Sequence, residues 1–281
     1  MSSESAGEGG GEGSVYVHDV NEREQERLRW LNQLLNQRCL AEMKLAAGER
    51  VVDFGSGLAE LARRMAGVTG RPVVGIERDG RQIEAAMRLA KADGEGGLVD
   101  LRQGDVCDPP LRAEEWGAFD VAHARFVLEH VPDPSSVIAA MVRAVHRGGR
   151  IFLCDDDHDL MRFWPDCPGG ETLWRAYTRT YSDVGNDPYV GRKLATLLAL
   201  AGARPFRVQW IFFGGCAAEA HFEVLIDNLI GVIDSARERI LANGSMSPST
   251  YEDARSALAQ WRRIPDAALW YAVPFAEGIK P

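Results

Sequence analysis

The five cysteines, Cys39, Cys107, Cys154, Cys167 and Cys216, form no Cys-x-x-Cys pair. That excludes a zinc ribbon or dithiol redox centre of that spacing. Their odd number, with no apolar leader in the opening residues, leaves reduced thiols in the cytoplasm as the expectation. No apolar run approaches the roughly 20 residues that a membrane span requires. Basic residues are also in short supply, 32 Lys and Arg against 41 Asp and Glu for a net charge of −9. Neither a nucleic acid nor an anionic membrane is therefore an expected partner. Residues 1–14, MSSESAGEGGGEGS, lack any large apolar side chain beyond Met1 and read as a disordered tail. No internal repeat is present. What remains is a chain of 281 residues, 46% hydrophobic, which has room for one large domain or a domain with a lid.

The chain is organised around Val51-Val52-Asp53-Phe54-Gly55-Ser56-Gly57-Leu58-Ala59-Glu60. An apolar run ends in a carboxylate, meets two glycines one residue apart and passes into a helix-like stretch. Strand, tight turn and helix N-terminus follow from that order, with the glycines placed where backbone must turn and a ligand must approach closely. A dinucleotide site would want a third glycine, Gly-x-Gly-x-x-Gly, so that helix and strand pack beneath a pyrophosphate. Glu60 stands at that position. Two carboxylates, Asp53 and Glu60, would repel a pyrophosphate and suit a ligand carrying an ammonium and a sulfonium. The stretch resembles the first motif, Asp-x-Gly-x-Gly, of the class I methyltransferases, which bind S-adenosyl-L-methionine and release S-adenosyl-L-homocysteine.

Later segments extend the resemblance. Pro72 to Ile76 reads as a second buried strand ending at Glu77, 22 residues beyond Gly55, where an acid reaches ribose hydroxyls in such folds. Family members place side chains at Arg78 and Gln82 against the adenine. A third strand, Leu98 to Gln103, precedes Gly104-Asp105-Val106, which in the family binds adenine; a simple turn is the plain alternative. Phe119 to Ala124 reads as the fourth strand and runs through Arg125 and Phe126 into Leu128-Glu129-His130-Val131-Pro132-Asp133-Pro134. This is similar to the Leu-x-His-Val-x-Asp-Pro signature of the group that includes the ubiquinone and menaquinone methylases. The resemblance implies cofactor contacts from Asp53, Phe54, Gly55, Ser56, Gly57, Glu77, Arg78, Gln82, Gly104, Asp105, Val106, Ala124, Arg125 and Phe126. His130 is a candidate base by its near-neutral pKa, although a histidine there usually orients the loop.

A fifth strand, Arg150 to Cys154, follows a helix expected over Ser135 to His146 with a Ser cap, and ends in Asp155-Asp156-Asp157-His158-Asp159. Those side chains have the donors for a metal, for a cationic amine or for a base beside the methyl, and a solvated loop is the plain alternative. Asp156 and His158 join His130 as catalytic candidates, with no metal expected. Between Asn21 and about Ala47 the apolar spacing is helical, with Leu28, Leu31 and Leu35 on one face. A helix packed on the main domain is the plain reading; the sharper one is that the segment also caps the cofactor, with Tyr16 over the ligand and Arg27 near its carboxylate. Helices are expected over Glu171 to Asp183 and Gly191 to Ala201. Two further helices, about 217–243 and 248–263, separate a sixth strand, Phe206 to Phe213, from a seventh, Trp270 to Ala276.

The expected fold is therefore α/β, a doubly wound, mostly parallel seven-stranded sheet of the class I methyltransferase, Rossmann-like kind with a helical lid. The expected parts are a tail (1–14), an N-terminal helical cap (15–47), a cofactor-binding core (48–160), lid and core helices (161–205) and edge strands with an inserted helical pair (206–281). The expected activity is in-line methyl transfer to a small-molecule acceptor, with a specialised metabolite favoured by the aromatic, acid-edged lid. An NAD-dependent oxidoreductase and a non-catalytic S-adenosylmethionine-binding module are the rivals. Monomer and homodimer are both open.

Overall fold

The computed structural model describes residues 22–281, with side chains from Asn32 onward. The chain opens with α1 (Glu22–Met43), then alternates β1 (Val51–Phe54), α2 (Glu60–Thr69), β2 (Val73–Glu77), α3 (Gly80–Ala92), β3 (Val99–Gln103), β4 (Phe119–Arg125), α4 (Pro134–Ala144) and β5 (Val145–Cys154). The second half runs β6 (Arg162–Trp164), α5 (Pro168–Ser182), α6 (Leu194–Leu200), β7 (Arg204–Phe212), β8 (Gly215–Cys216), α7 (Phe222–Ser235), α8 (Arg237–Ala242), α9 (Pro248–Trp261), β9 (Ala268–Trp270) and β10 (Ala272–Ile279).

Seven strands form one sheet in the order β3-β2-β1-β4-β5-β10-β7. The first five are parallel, and β10 runs antiparallel to both β5 and β7. All four residues of β1 are buried, as a central strand covered on both faces requires. One face packs against α1 and α2, through Leu35, Cys39, Met43, Leu61 and Met65; the other packs against α4 and α6, through Val137, Ile138, Met141, Leu194 and Leu198. The reversal of strand order between β1 and β4 opens a crevice at the carboxyl ends of the parallel strands, the usual ligand position in such sheets.

Helices α5, α7 and α9 form a layer continuous with the α1 side of this core. Its floor is a second, three-stranded sheet, β6-β9-β8, which the sequence pattern did not suggest. Other boundaries also shift. Helix α4 is capped by Asp133, whose carboxylate accepts from Ser135 and Ser136 N–H with Pro134 in the first turn, so the expected Ser cap is one position inside the helix. The expected helix over 191–201 divides into a 3-10 turn, Val190–Lys193, and α6. The last sheet strand is Ala272–Ile279, because Trp270 belongs to β9. On β7 the side chains of Phe206, Val208 and Trp210 alternate along one outward face and are more than half exposed.

Candidate functional site

The turn after β1 sets the geometry. Gly55 and Gly57 take φ of +76° and +53°, and the N–H groups of Gly55 and Ser56 both donate to Ile76 O, at 2.8 and 2.9 Å. A Cβ on Gly55 would lie 2.4 Å from Val127 Cγ2, so the turn and the loop after β4 approach as closely as backbone allows. Glu77, at the carboxyl end of β2, accepts from Gly57 N–H through Oε2 and from Asp79 N–H through Oε1, both at 2.9 Å. Each carboxylate oxygen keeps a lone pair for a further donor. Gln82, in the first turn of α3, reaches over the loop, its Oε1 3.4 Å from where a Gly57 Cβ would stand. Ser56 Oγ is buried with no hydrogen-bond partner.

The remaining sequence-predicted residues surround this turn unevenly. Asp53 is buried and its carboxylate faces His123 Nδ1 at 2.7 Å, beneath the loop. Phe54 and Ala124 are fully buried sheet residues. Arg78 is exposed, and its carbonyl accepts from Gln103 at 3.2 Å. Gly104 is wedged so that a Cβ would meet Pro110 Cδ at 2.5 Å, and Val106 packs against the core below. Asp105 is exposed and spends one oxygen on Cys107 N–H at 2.8 Å. Arg125 donates to Asn36 Oδ1 of α1 at 2.7 Å, tying the helix to the end of β4, and Phe126 is held at φ +53°. Tyr16 lies outside the described residues. Arg27 falls on α1 ahead of the described side chains.

The catalytic candidates converge on a second centre beyond the ends of β4 and β5. Asp155 is wholly structural: its carboxylate accepts from the N–H groups of Val127, Leu128 and Glu129 at 3.0, 2.8 and 3.2 Å and so shapes the loop. Burial pushes it up to about 6 against those same donors. Asp157 pairs with Arg192, which also holds the exposed Asp159. Of the acidic stretch, Asp156 and His158 are the two whose side chains pair into one cluster with the Glu129 carboxylate. Asp156 Oδ1 accepts from Tyr271 OH at 2.6 Å, and burial together with the Glu129 charge pushes its carboxyl up to about 8. Burial also raises Glu129 well above the carboxylate range and lowers His158. The His158 ring sits among Trp174, Tyr177 and Tyr181 at centroid distances of 4.8, 5.7 and 5.0 Å. His130 stays at the rim, half-exposed, stacked on Tyr181 at 5.5 Å and 3.4 Å from Glu129 Oε1.

Sequence reasoning missed Glu129 and Tyr271. The first stands beside His130 in the signature loop and was open to notice. The second is 115 residues from its partner Asp156, and no local pattern announces it.

Sheet order and the glycine turn after β1 are those of the class I methyltransferase, Rossmann-like fold. Residues 52–153 match the protein family described as "Methyltransferase domain", a class whose cofactor is S-adenosylmethionine. The chain is 35% identical over 167 residues to a ubiquinone biosynthesis O-methyltransferase of Thiobacillus denitrificans, covering 59% of this chain and 65% of that one. It is 36% identical over 137 residues to the Pseudomonas aeruginosa protein of the same description, covering 49% of this chain and 52% of that one. It thus spans about half to two thirds of these curated relatives. Among solved structures, the geranyl diphosphate C-methyltransferase of Streptomyces coelicolor A3(2) shares the fold, with a TM-score of 0.57 at 12% identity over 95% of this chain and 87% of that one. Among the described residues no helix is long and apolar enough to cross a membrane.

Proposed function

We propose that this chain methylates a small-molecule acceptor with S-adenosylmethionine. The observation that carries the proposal is Glu77, fixed by two backbone N–H groups at the mouth of the glycine turn with lone pairs left for the ribose hydroxyls. The orphaned Ser56 hydroxyl and the cradle that a Gly55 Cβ would fill also fit a bound cofactor. Gly55, Ser56 and Gly57 would face the methionine portion, and Arg78, Gln82, Gly104, Asp105 and Val106 the adenine. Arg125 and Phe126 would border the sulfonium side, with Tyr16 and Arg27 closing over it. Asp53 would act from below by anchoring the turn through His123.

When bound, the cofactor supplies a methyl group activated by its sulfonium. The chain's part is alignment and water exclusion, with Asp156 and His158 under the aromatic rings of α5 on the acceptor side and His130 at the entrance. Relatives described as O-methyltransferases support a hydroxyl acceptor; the aromatic lid supports a specialised metabolite as the finer reading. A cytoplasmic location belongs to the same reading. Calorimetric titration is the test: S-adenosylmethionine and S-adenosylhomocysteine should bind and NAD should not. Tighter binding of NAD would favour the oxidoreductase. Cofactor binding without turnover of any hydroxylated acceptor would favour a binding module.

A further inference from the structure

Three side chains of the second centre each have one polar atom satisfied and one aimed at a common point. Asp156 uses Oδ1 for Tyr271 OH at 2.6 Å and turns Oδ2 toward His158. His158 places Nδ1 3.3 Å from Thr178 Oγ1, which orients the ring with Nε2 toward the two carboxylates, and Trp174 Nε1 anchors the backbone there by donating to the His158 carbonyl at 2.7 Å. Glu129 directs Oε1 toward His130 at 3.4 Å. Its Oε2 is buried with no hydrogen-bond partner, although His158 Nε2 is 3.2 Å away. His158 Nε2 lies 3.8 Å from Asp156 Oδ2, and one ligand atom from each of the three residues falls within 4.8 Å of the others. Among the described residues no Lys or Arg forms an ion pair with Glu129 or Asp156.

An approach at 3.2 Å without hydrogen-bond geometry is unusual for an acid facing an imidazole, but it is the spacing of neighbouring ligands on one ion. Donors about 2.1 Å from a shared cation stand about 3 Å apart when cis in an octahedron and about 3.4 Å apart in a tetrahedron. Outer hydrogen bonds of the kind made by Tyr271 and Thr178 are also what orient metal-ligating carboxylates and imidazoles. Glu129 and His158 are each 3% exposed. The Asp156 side chain is 17% exposed and leaves the centre one open side.

We propose that Glu129, Asp156 and His158 bind a divalent first-row cation, Mn²⁺ or Zn²⁺ in class. Two carboxylates and one imidazole suit such ions, and three protein ligands leave positions open on the Asp156 side. An acceptor hydroxyl bound there would be made more acidic by the ion and would give its proton to solvent on the open Asp156 side, its oxygen then taking the methyl group as S-adenosylhomocysteine leaves as the neutral thioether. That role rests on the methyl-transfer reading; the binding of the ion does not.

The test titrates Mn²⁺ into the chelator-stripped full chain, without cofactor, followed by electron paramagnetic resonance. One ion per chain is expected, with affinity at least ten-fold lower in Glu129→Gln and in Asp156→Asn. Asp159→Asn, an acid of the same stretch turned to solvent, should bind as the unaltered chain does. If the site variants do not fold, pulsed resonance on the unaltered protein decides, because His158 must give an imidazole-nitrogen coupling. No bound ion, a bound ion lacking that coupling, or undiminished affinity in both folded site variants would overturn the site. A bound ion with no methyl transfer to any hydroxylated acceptor would count against the function and leave the site standing.

Discussion

Glu77 fixes the glycine turn and, on the proposed function, also binds the cofactor; a pair of substitutions separates the two. Its carboxylate holds the glycine turn through Gly57 and Asp79, with lone pairs left over that the proposal assigns to the ribose. Glu77→Ala should weaken S-adenosylhomocysteine binding by about 2–3 kcal/mol, the loss of one or two charge-assisted hydrogen bonds, read by calorimetry. Glu77→Gln keeps an amide oxygen and should lose less. Gly55→Ala tests the turn itself. A residue at φ +76° costs roughly 1–2 kcal/mol, and the clash with Val127 adds about 1–3 kcal/mol. Thermal denaturation should show the melting temperature falling, and Val127→Ala in that background should recover the part due to the clash alone. A further residue pair governs acid stability. Arg102 receives Glu115 through both guanidinium NH groups, at 2.6 and 2.8 Å, and holds that carboxyl down at about 2. Because the folded value lies below the unfolded one, the stabilisation is complete above about pH 4.5 and disappears as the pH falls toward 2. Glu115→Gln should remove on the order of 1 kcal/mol at pH 7, after solvent screening, and flatten the acid limb of the denaturation profile between those limits.

Helix α1 is scaffold in its second half. Leu35, Cys39 and Met43 are each at most 4% exposed and pack on the sheet, and Asn36 is bound by Arg125. This is the packing expected of an N-terminal helix on the main domain; the expected capping residues, Tyr16 and Arg27, lie outside the described side chains. Deleting 1–40 should lower the melting temperature steeply, since truncating one buried Leu alone costs about 2–5 kcal/mol. Deleting 1–12 should leave the melting temperature unchanged. The elements that could be read from sequence are those with a long apolar run and a marked end. β1, β2 and β4 finish at Phe54, Glu77 and Arg125, each followed by a turn or loop with its own residue signature. β6, β8 and β9 could not be read this way, because strands of two or three residues are too short to show an alternation. The site divided along the same line. Gly55, Gly57, Glu77 and Asp156 stand at the ends of legible strands, whereas Thr178 and Tyr271 reach Asp156 and His158 from segments far along the chain.

A ligand held by the carboxyl ends of several strands stabilises all of them together. S-adenosylhomocysteine at about a hundred times its dissociation constant should add about 2.7 kcal/mol and raise the melting temperature by roughly 5–10 °C, with no rise for NAD. Differential scanning fluorimetry reads both. The position of β10 carries a further consequence, for how the molecule is made. That strand lies between β5 and β7 and is, among the described residues, the one strand paired with β7, yet it follows β7 by the whole of residues 213–271. A ribosome therefore releases β7, with its backbone N–H and C=O groups unpaired, well before the strand that seats it exists. Through that interval the nascent chain presents a sticky, unpaired ribbon beside a half-finished sheet. Translation stalled just short of Ala272 should yield chains that hold their first five strands and are cut by protease throughout 204–271, and chaperone dependence should concentrate in that window.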